Sequence, residues 1–373
     1  MVTLISLVSY NFLPAKTGGQ KGIAVFTEFL SRNCRLTVVT TQDNDPALAI
    51  GYQLLNVISP GKTRYINPFL FFRLRRIIKK ERATHLLLEH PYFGWLGILL
   101  KYACGIKLVV HSHNIEHQRW RALGKWWWPL LFVYERTVHR TADYNFFKTD
   151  EDRHYARSGF GIDARKCITV TYGIDWNAAP AAAEKKRCRD ILLAKHGIAP
   201  QYRLFLFNGS LDYTPNTDAV RFITDAINRP LWESEFPYKI IICGKGLPPK
   251  FNGLAAYASY NIIYTGFVDD ISVYFKGVDA FINPVVTGGG IKTKLVEALG
   301  YNTYSISTDS GAFGVDSSLT GHMMKLVSDY DWPAFARAMQ QMPDSQDIPA
   351  AFFEHFYWEN IARKAAAFIA AKR

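Results

Sequence analysis

Residues 284–299 read PVVTGGGIKTKLVEAL, and they place three glycines and two lysines at the start of a predicted helix. The apolar run Asp279–Ile282 precedes them and is typical of a buried strand. Glycines let the backbone approach a ligand closely, and a helix N-terminus offers unpaired N–H groups to an anion. Lys292 and Lys294 add full positive charge, and Glu297 is placed to accept hydrogen bonds from a sugar diol. This pattern predicts a site for an anion that carries a polyol, such as a nucleotide sugar; the alternative is a glycine-rich turn with solvated lysines.

The composition is that of a folded protein with an acidic partner. The chain has 373 residues, enough for two domains, and 49% hydrophobic residues, which excludes a disordered chain. Its net charge of +12 suits nucleotide phosphates, nucleic acid or an anionic membrane, and since no nucleic-acid motif is present we expect no nucleic acid partner. Five scattered cysteines predict free thiols and a cytoplasmic location.

Short apolar runs alternate with longer helical patterns, which predicts an α/β fold with parallel sheets covered by helices. The predicted strands are Val2–Val8, Leu36–Thr41, His85–Glu89, Lys107–His111, Tyr144–Phe147, Ile168–Tyr172, Leu204–Asn208, Lys239–Cys243, Asn261–Thr265, Ala280–Asn283, Thr303–Ser307 and Met323–Val327.

An alanine-rich, charged stretch between Trp176 and Gln201 marks the predicted domain junction. We therefore predict an N-terminal domain over residues 1–185 and a C-terminal domain over residues 186–350. Residues 351–373 carry apolar side chains at helical spacing and form a predicted C-terminal helical segment.

The glycine run is one of several motifs that occur in a recognisable order. The others are TGGQKG (17–22), HNIE (113–116), YGID (172–175), FNGSL (207–211), Pro215-Asn216, GFVDD (266–270) and Asn283-Pro284. Together they resemble the GT-B glycosyltransferases of family 4 (glycosyl transferases group 1), most of all a subgroup with the signature GGG-x-[R/K]-x-K-x-x-E-A. The resemblance implies two Rossmann-like domains that face each other across a cleft. The first would bind the acceptor and the second the donor, and the C-terminal helix would pack back on the first.

The resemblance also implies roles for individual residues. Glu297 matches the glutamate that holds the donor ribose, His113 matches an active-site histidine near the transferred sugar, and Lys294 would stabilise the leaving phosphates. The remaining donor-binding residues that the motifs imply are Gly18, Gly19, Gly209, Ser210, Gly266, Phe267, Val268, Gly288, Gly289, Gly290, Ile291 and Lys292.

The activity that follows is sugar transfer with retention of configuration from a nucleoside-diphosphate sugar, UDP- or GDP-linked. The acceptor would be a glycan or a lipid-linked sugar, and neither a metal ion nor a cofactor would be needed. Two departures leave the sugar open. Gly289 stands where the family has the first glutamate of an E-x7-E motif, and Ser210-Leu211-Asp212 stands where an Arg…Lys pair begins. Lys292 and Lys294 would then carry more of the phosphate charge.

Alternatives from other classes remain at this point. His111, His113 and Glu116 are metal-capable and suit a metal-dependent hydrolase, and Asp43-Asn44-Asp45 matches the D-x-D of metal-dependent sugar transferases, although it also suits a turn. The missing first glutamate suits a non-catalytic nucleotide-sugar binding protein.

A membrane contact is also open. The basic, aromatic helix over residues 66–80 suits the surface of an anionic membrane, or else a core-facing helix with a solvated basic side. Trp126-Trp127-Trp128 can likewise anchor at an interface or pack in the core. We predict a peripheral contact with the inner face of the cytoplasmic membrane.

Overall fold

The protein forms two compact units in the computed structural model, which describes residues 2–343 and 347–371. Unit 1 comprises Met1–Asp175 and Phe356–Arg373, and unit 2 comprises Trp176–His355. The division at residue 175 differs from the predicted one at residue 185, because the alanine-rich stretch leads into a helix, Ala182–His196, that packs inside unit 2. That packing is tight: a Cβ on Gly277 would lie 2.8 Å from Cδ1 of Leu192.

Unit 1 is a seven-stranded parallel sheet in the order β3-β2-β1-β4-β5-β6-β7, with helices between the strands. The strands are β1 Thr3–Val8, β2 Arg35–Thr41, β3 Gln53–Ile58, β4 His85–Glu89, β5 Lys107–Ser112, β6 Tyr144–Phe147 and β7 Cys167–Thr169. The helices are α1 Gly18–Ser31, α2 Phe69–Glu81, α3 Gly94–Cys104, α4 Glu116–Ala122, α5 Trp128–Thr141, α6 Asp150–Gly159 and, from the end of the chain, α15 Trp358–Ala370.

Unit 2 is a six-stranded parallel sheet in the order β10-β9-β8-β11-β12-β13. Its strands are β8 Arg203–Asn208, β9 Tyr238–Cys243, β10 Ile262–Gly266, β11 Ala280–Asn283, β12 Tyr304–Thr308 and β13 Met324–Val327. Its helices are α7 Ala182–His196, α8 Thr214–Phe222, α9 Asn228–Glu233, α10 Ile271–Gly277, α11 Thr293–Gly300, α12 Ser317–Thr320 and α13 Trp332–Gln340, followed by α14 Ala350–Phe356, within which the chain returns to unit 1.

The end of the chain is part of the unit 1 core. Trp358 is buried and lies against Phe26 of α1, with ring centroids 6.1 Å apart. The backbone N–H of Ile174 donates to the carbonyl of Phe356 at 2.7 Å, and the N–H of Trp358 donates to the carbonyl of Ile174 at 3.0 Å. Backbone hydrogen bonds at Ile174 thus join the C-terminal segment to the end of the N-terminal part of unit 1.

Each sheet has one place where the strand order reverses, between β1 and β4 in unit 1 and between β8 and β11 in unit 2. The carboxyl ends of parallel strands meet at one edge, and ligands of such folds bind at this edge beside the reversal. Glu89 is the last residue of β4 there, His113 follows β5, and Gly209 follows β8.

All the predicted strands are present, and the largest difference is at Ile168–Tyr172, where the strand ends at Thr169. The pattern does not predict β3, because this edge strand is only half buried and has no continuous apolar run. Within the part of the chain that the structure describes, no helix is both long and apolar enough to cross a bilayer.

Candidate functional site

The glycine run of unit 2 forms a loop between β11 and α11, as the sequence predicts. Gly288 and Gly290 adopt φ values of 91° and 72°, a region that favours glycine. A Cβ on Gly288 would lie 3.0 Å from the hydroxyl of Tyr213 and 3.2 Å from Cγ of Pro215. The loop therefore lies against the start of α8.

Lys294 lies at the centre of this arrangement. Its Nζ donates to Oδ1 of Asn216 at 2.9 Å, and Nδ2 of Asn216 donates to the carbonyl of Ser210 at 2.8 Å. A Cβ on Gly209 would lie only 2.5 Å from the same Nζ, so glycine leaves the space that the ammonium group needs. The structure thus brings Gly209, Ser210 and Lys294 together. It adds Asn216, for which the sequence predicts no role of its own although Pro215-Asn216 belongs to the motifs of the resemblance.

The two lysines of the run are half buried, and in the described contacts Nζ of each is hydrogen-bonded to a neutral oxygen. Burial, and to a smaller extent the neighbouring Lys292, lowers the pKa of Lys294 to about 7, although Glu297 opposes the change. Burial also lowers the pKa of Lys292 to about 8, and its Nζ donates to the carbonyl of Gly288 at 2.5 Å. Because a bound anion would favour the charged forms of both, the pair is suited to phosphate oxygens.

The remaining predicted donor residues of unit 2 lie on neighbouring loops. Gly266 ends β10 with a φ of 69°, and its carbonyl accepts from the N–H of Gly244 at 2.7 Å. Phe267 is exposed, and Val268 is half buried. Gly289 is exposed in the glycine run, and Ile291 and Glu297 are half buried. Gly244 also contacts the loop that follows β8, since a Cβ on Gly244 would lie 1.9 Å from the carbonyl oxygen of Gly209. The loops after β8, β9 and β10 therefore lie side by side.

Gly18 and Gly19 open α1 in unit 1 and are both exposed. The helix is capped by Thr17, whose backbone N–H donates to Oε1 of Gln20 at 2.9 Å. A Cβ on Gly19 would meet nothing within 4 Å, so the approach to this helix start is open.

His113 is held by Glu89 and His90, for which the sequence predicts no role. Its Nε2 lies 2.7 Å from Oε2 of Glu89, and its ring stacks on His90 with centroids 4.1 Å apart. Nδ1 of His111 lies 3.0 Å from the same carboxylate oxygen. A signal was present in the sequence, because Glu89 is the last residue of a predicted strand. In the structure it pairs in register with His111 on the adjacent strand.

The electrostatics of this cluster favour neutral imidazoles on an ionised carboxylate. Burial alone would raise the pKa of Glu89, but the contacts with His111 and His113 hold it well below its usual range. Burial, together with His90 and Lys148, lowers the pKa of His113 well below its ordinary value. The buried Lys148 itself has a pKa lowered to about 8 by desolvation.

The predicted alternative, a metal site of His111, His113 and Glu116, is not the group of residues that the structure brings together. Among the described residues, the group close enough to share a metal ion is Glu89, His111 and His113. Glu116 is not part of it and lies 3.5 Å from Arg119. The separations of 2.7 and 3.0 Å from the carboxylate to the two rings are those of direct hydrogen bonds.

The D-x-D stretch serves a turn. Oδ1 of Asn44 accepts from the backbone N–H groups of Phe12 and Leu13 at 2.8 and 2.9 Å, and Asp45 accepts from the N–H of Ala47. Asp43 is exposed. The stretch thus has the backbone role that Asp and Asn commonly have in turns.

Two family models match the chain. One described as Glycosyltransferase Family 4 matches residues 18–177, and one described as Glycosyl transferases group 1 matches residues 202–344. No curated protein matches the chain.

Similar solved structures extend over the whole chain. A sucrose-phosphate synthase from Thermosynechococcus elongatus is 15% identical with a TM-score of 0.70, covering 99% of this chain and 98% of that one. A glycosyltransferase from Rickettsia africae is 13% identical with a TM-score of 0.67, covering 99% and 93%. Anabaena HepE in complex with UDP is 12% identical with a TM-score of 0.72, covering 99% and 100%.

At these identities the similar structures show the fold, and the family models indicate the class of reaction. The predicted subgroup signature and the individual site residues stay predictions. From the two matched halves and the two parallel sheets, the chain is a glycosyltransferase of the GT-B fold with two Rossmann-like domains.

Proposed function

We propose that this glycosyltransferase moves a sugar from a UDP- or GDP-linked donor to a glycan or lipid-linked acceptor, with retention of configuration and without a metal ion or cofactor. The observation that carries the donor assignment is the half-buried Lys294, whose ammonium group lies beside Gly209 and is hydrogen-bonded to a neutral amide. Support also comes from a similar structure, Anabaena HepE, which was determined with UDP and with UDP-glucose.

The chemistry follows from the charge that develops as the anomeric C–O bond breaks. Negative charge grows on the diphosphate, and preorganised cations and N–H groups stabilise it in a site that excludes water. We assign this role to Lys292, Lys294 and the glycine run, with Gly18 and Gly19 as a further N–H source. Same-face attack would let the departing phosphate oxygen take the proton of the acceptor hydroxyl, so no carboxylate nucleophile is required.

The other residues complete the donor assignment. Glu297 would accept hydrogen bonds from the ribose hydroxyls, and Gly266 to Val268 would contact the base. Phe267 suits stacking because its ring is exposed beside the carboxyl end of β10. His113 would contact a hydroxyl of the sugar.

A surface of unit 1 supports the membrane part of the proposal. The helices α2, α3 and α5 pack in succession, and their exposed side includes large apolar residues. On the helices these residues are Phe69, Phe72, Leu99, Tyr102, Leu130 and Val133, and the exposed Ile66 and Trp126 lie just before α2 and α5. Residues 62–80 add seven lysines and arginines and no acidic residue. Apolar side chains interleaved with cations suit an anionic lipid surface, which would bring the enzyme to a lipid-linked acceptor.

Nucleotide binding and turnover test the central claim. A ligand at 100 times its dissociation constant adds ~2.7 kcal/mol to the stability of the folded state, so UDP or GDP should raise Tm by several degrees. Turnover should persist in EDTA, and NMR should show that the anomeric configuration of the donor is kept in the product. If no nucleoside diphosphate raises Tm, the donor assignment is wrong; an inverted product contradicts retention alone.

Vesicle sedimentation tests the membrane surface. The protein should bind vesicles rich in phosphatidylglycerol and not vesicles of phosphatidylcholine, and the double substitution F69S/F72S should weaken binding about tenfold. The matched control is L48S/I50S, which alters two exposed apolar residues of unit 1 outside these helices. Equal losses in the two variants would contradict the proposed surface.

A further inference from the structure

We propose that Glu89 is a positioning residue that holds His113 in the tautomer protonated on Nε2, so that Nδ1 accepts a hydrogen bond from a sugar hydroxyl. The identity of that hydroxyl, on the transferred sugar or on the acceptor, rests on the proposed function. The tautomer and its cause rest on the structure of unit 1 alone.

The first support is the contact at the edge of the ring. The side chain of Glu89 is fully buried, and Oε2 lies 2.7 Å from Nε2 of His113 and 3.0 Å from Nδ1 of His111. An ionised carboxylate only accepts hydrogen bonds, so both nitrogens that face it must carry protons. A neutral His113 then has its lone pair on Nδ1.

The second support is the contact on the face of the ring. His90 stacks on His113 with an interplanar angle of 25°, and Tyr92 stacks on His90 with centroids 5.0 Å apart. His90 has φ 71° and ψ 152°, which a residue with a Cβ seldom adopts. Its N–H donates to the carbonyl of His111 at 2.9 Å, and Nε2 lies 2.9 Å from the hydroxyl of Tyr10. Strain of this kind persists only where surrounding contacts fix the conformation. Two consecutive residues therefore hold the ring of His113, Glu89 at its edge and His90 on its face.

The third support is the accessibility of the remaining nitrogen. Among the described residues Nδ1 of His113 has no hydrogen-bond partner, yet it is not one of the fully enclosed ring nitrogens, unlike Nδ1 of His90 and Nε2 of His111. The side chain of His113 keeps 10% of its surface exposed at the carboxyl edge of the sheet. Nδ1 is therefore the nitrogen of His113 that a ligand can reach.

The charge around the cluster favours hydrogen bonding over a metal ion. Nζ of Lys148 is buried without a hydrogen-bond partner in the described structure and lies 5.6 Å from the ring of Phe26 and 5.7 Å from that of Trp358. Its charge acts on Glu89, His111 and His113. This buried cation balances the glutamate, so a second cation between the carboxylate and the rings would face repulsion.

A tautomer measurement tests the inference without any assay of activity. The full chain with ¹⁵N-labelled histidine is studied by long-range ¹H–¹⁵N NMR at pH 7.5, and the His113 signals are assigned by their loss in H113N. We expect a neutral ring protonated on Nε2. A proton on Nδ1, or on both nitrogens, overturns the proposal, and so does a stoichiometric change of these signals on addition of zinc.

Two substitutions at residue 113 test which nitrogen meets the substrate. Asparagine places an amide oxygen near the position of Nδ1, whereas glutamine reaches toward Nε2 and keeps only the contact with Glu89. We expect H113N to retain about tenfold more turnover than H113Q. The reverse order overturns the proposal. Absence of turnover in the wild type with every donor would instead count against the proposed function and leave the NMR result standing.

The variant E89Q tests the cause. Its amide can donate toward Nε2 of His113 and so shift the proton to Nδ1. We expect kcat to fall ~10–100-fold with the donor KM within about threefold, and the NMR signals to show the changed tautomer. The matched control is E135Q, since Glu135 is another buried glutamate that contacts a histidine, His117, at 2.7 Å. It should lower Tm and leave kcat and the His113 signals as in wild type. Equal falls of kcat in both variants, or unchanged kcat in E89Q, overturn the proposal.

Discussion

Each unit has a lysine near the carboxyl edge of its sheet, buried in unit 1 and half buried in unit 2, and the surroundings of the two lysines differ. Lys148 in unit 1 lies over the rings of Phe26 and Trp358, and the buried carboxylate of Glu89 favours its charge. Lys294 in unit 2 is hydrogen-bonded to the neutral amide of Asn216 and lies beside Gly209; Glu297 favours its charge, and a second lysine close by disfavours it. The charge in unit 1 is balanced within the protein, whereas the charge in unit 2 is suited to an anionic ligand.

The largest expected effect is on donor turnover in K294A. Loss of the ammonium group removes the main stabilisation of the leaving phosphates, so kcat/KM for the donor should fall about 100-fold or more. The control is K239A, because Lys239 also donates to an asparagine, Asn261, at 2.7 Å, but from the amino end of its strand. If K294A keeps wild-type turnover, Lys294 does not hold the diphosphate.

A carboxylate in place of the amide that contacts Lys294 should balance the charge of Lys294 within unit 2, as Glu89 does for Lys148 in unit 1. In N216D an aspartate would pair with Lys294 and compete with the diphosphate. We expect the affinity for nucleoside diphosphate to weaken about tenfold while Tm stays equal or rises. Isothermal titration and thermal unfolding measure the two quantities, and tighter nucleotide binding in N216D would contradict the contrast between the lysines.

The pH dependence of stability tests the burial of Lys294. Its pKa is about 7 in the folded protein against an ordinary 10.5, so between these values the unfolded chain binds more protons and stability rises with pH. The K294M variant lacks this contribution. From pH 7 to pH 10 the unfolding free energy of the wild type should therefore gain on that of K294M, by on the order of 1–3 kcal/mol. Parallel pH profiles in denaturant unfolding would show that Lys294 is ordinarily solvated.

The smallest effect is expected for G209A. The added Cβ would meet Nζ of Lys294 and Nδ2 of Asn216, but a lysine end can move by a few tenths of an ångström. We expect the donor KM to rise about threefold to tenfold with little change in Tm, since shifting a charged hydrogen bond without breaking it costs only part of the ~1.5–3 kcal/mol that the bond contributes. G19A is a useful comparison, because a Cβ there meets nothing. A larger rise of the donor KM in G19A than in G209A would show that donor binding depends more on the start of α1 than on the space beside Lys294.

The sequence predicts what depends on local spacing. The glycine run, both lysines and the alternation of strands and helices lie in single short segments, and each occurs in the structure where the pattern puts it. The sequence does not predict contacts that depend on strand order and register. Lys294 meets Asn216 only because β11 lies beside β8, and Glu89 meets His113 only because β4 lies beside β5. The positive φ of His90 could not be predicted either, because glycine is the residue usually found at such a φ and histidine gives no indication of it.

Because Trp358 and α15 complete the core of unit 1, unit 2 is in effect an insertion in its chain. During synthesis on the ribosome, residues 176–355 emerge before the last helix of unit 1 exists. Unit 2 can then fold early, while Phe26 on α1 stays exposed to solvent until Trp358 has been synthesised and can pack against it. A product that stops short of residue 358 should accordingly aggregate or be degraded through its first half, however well its second half is folded.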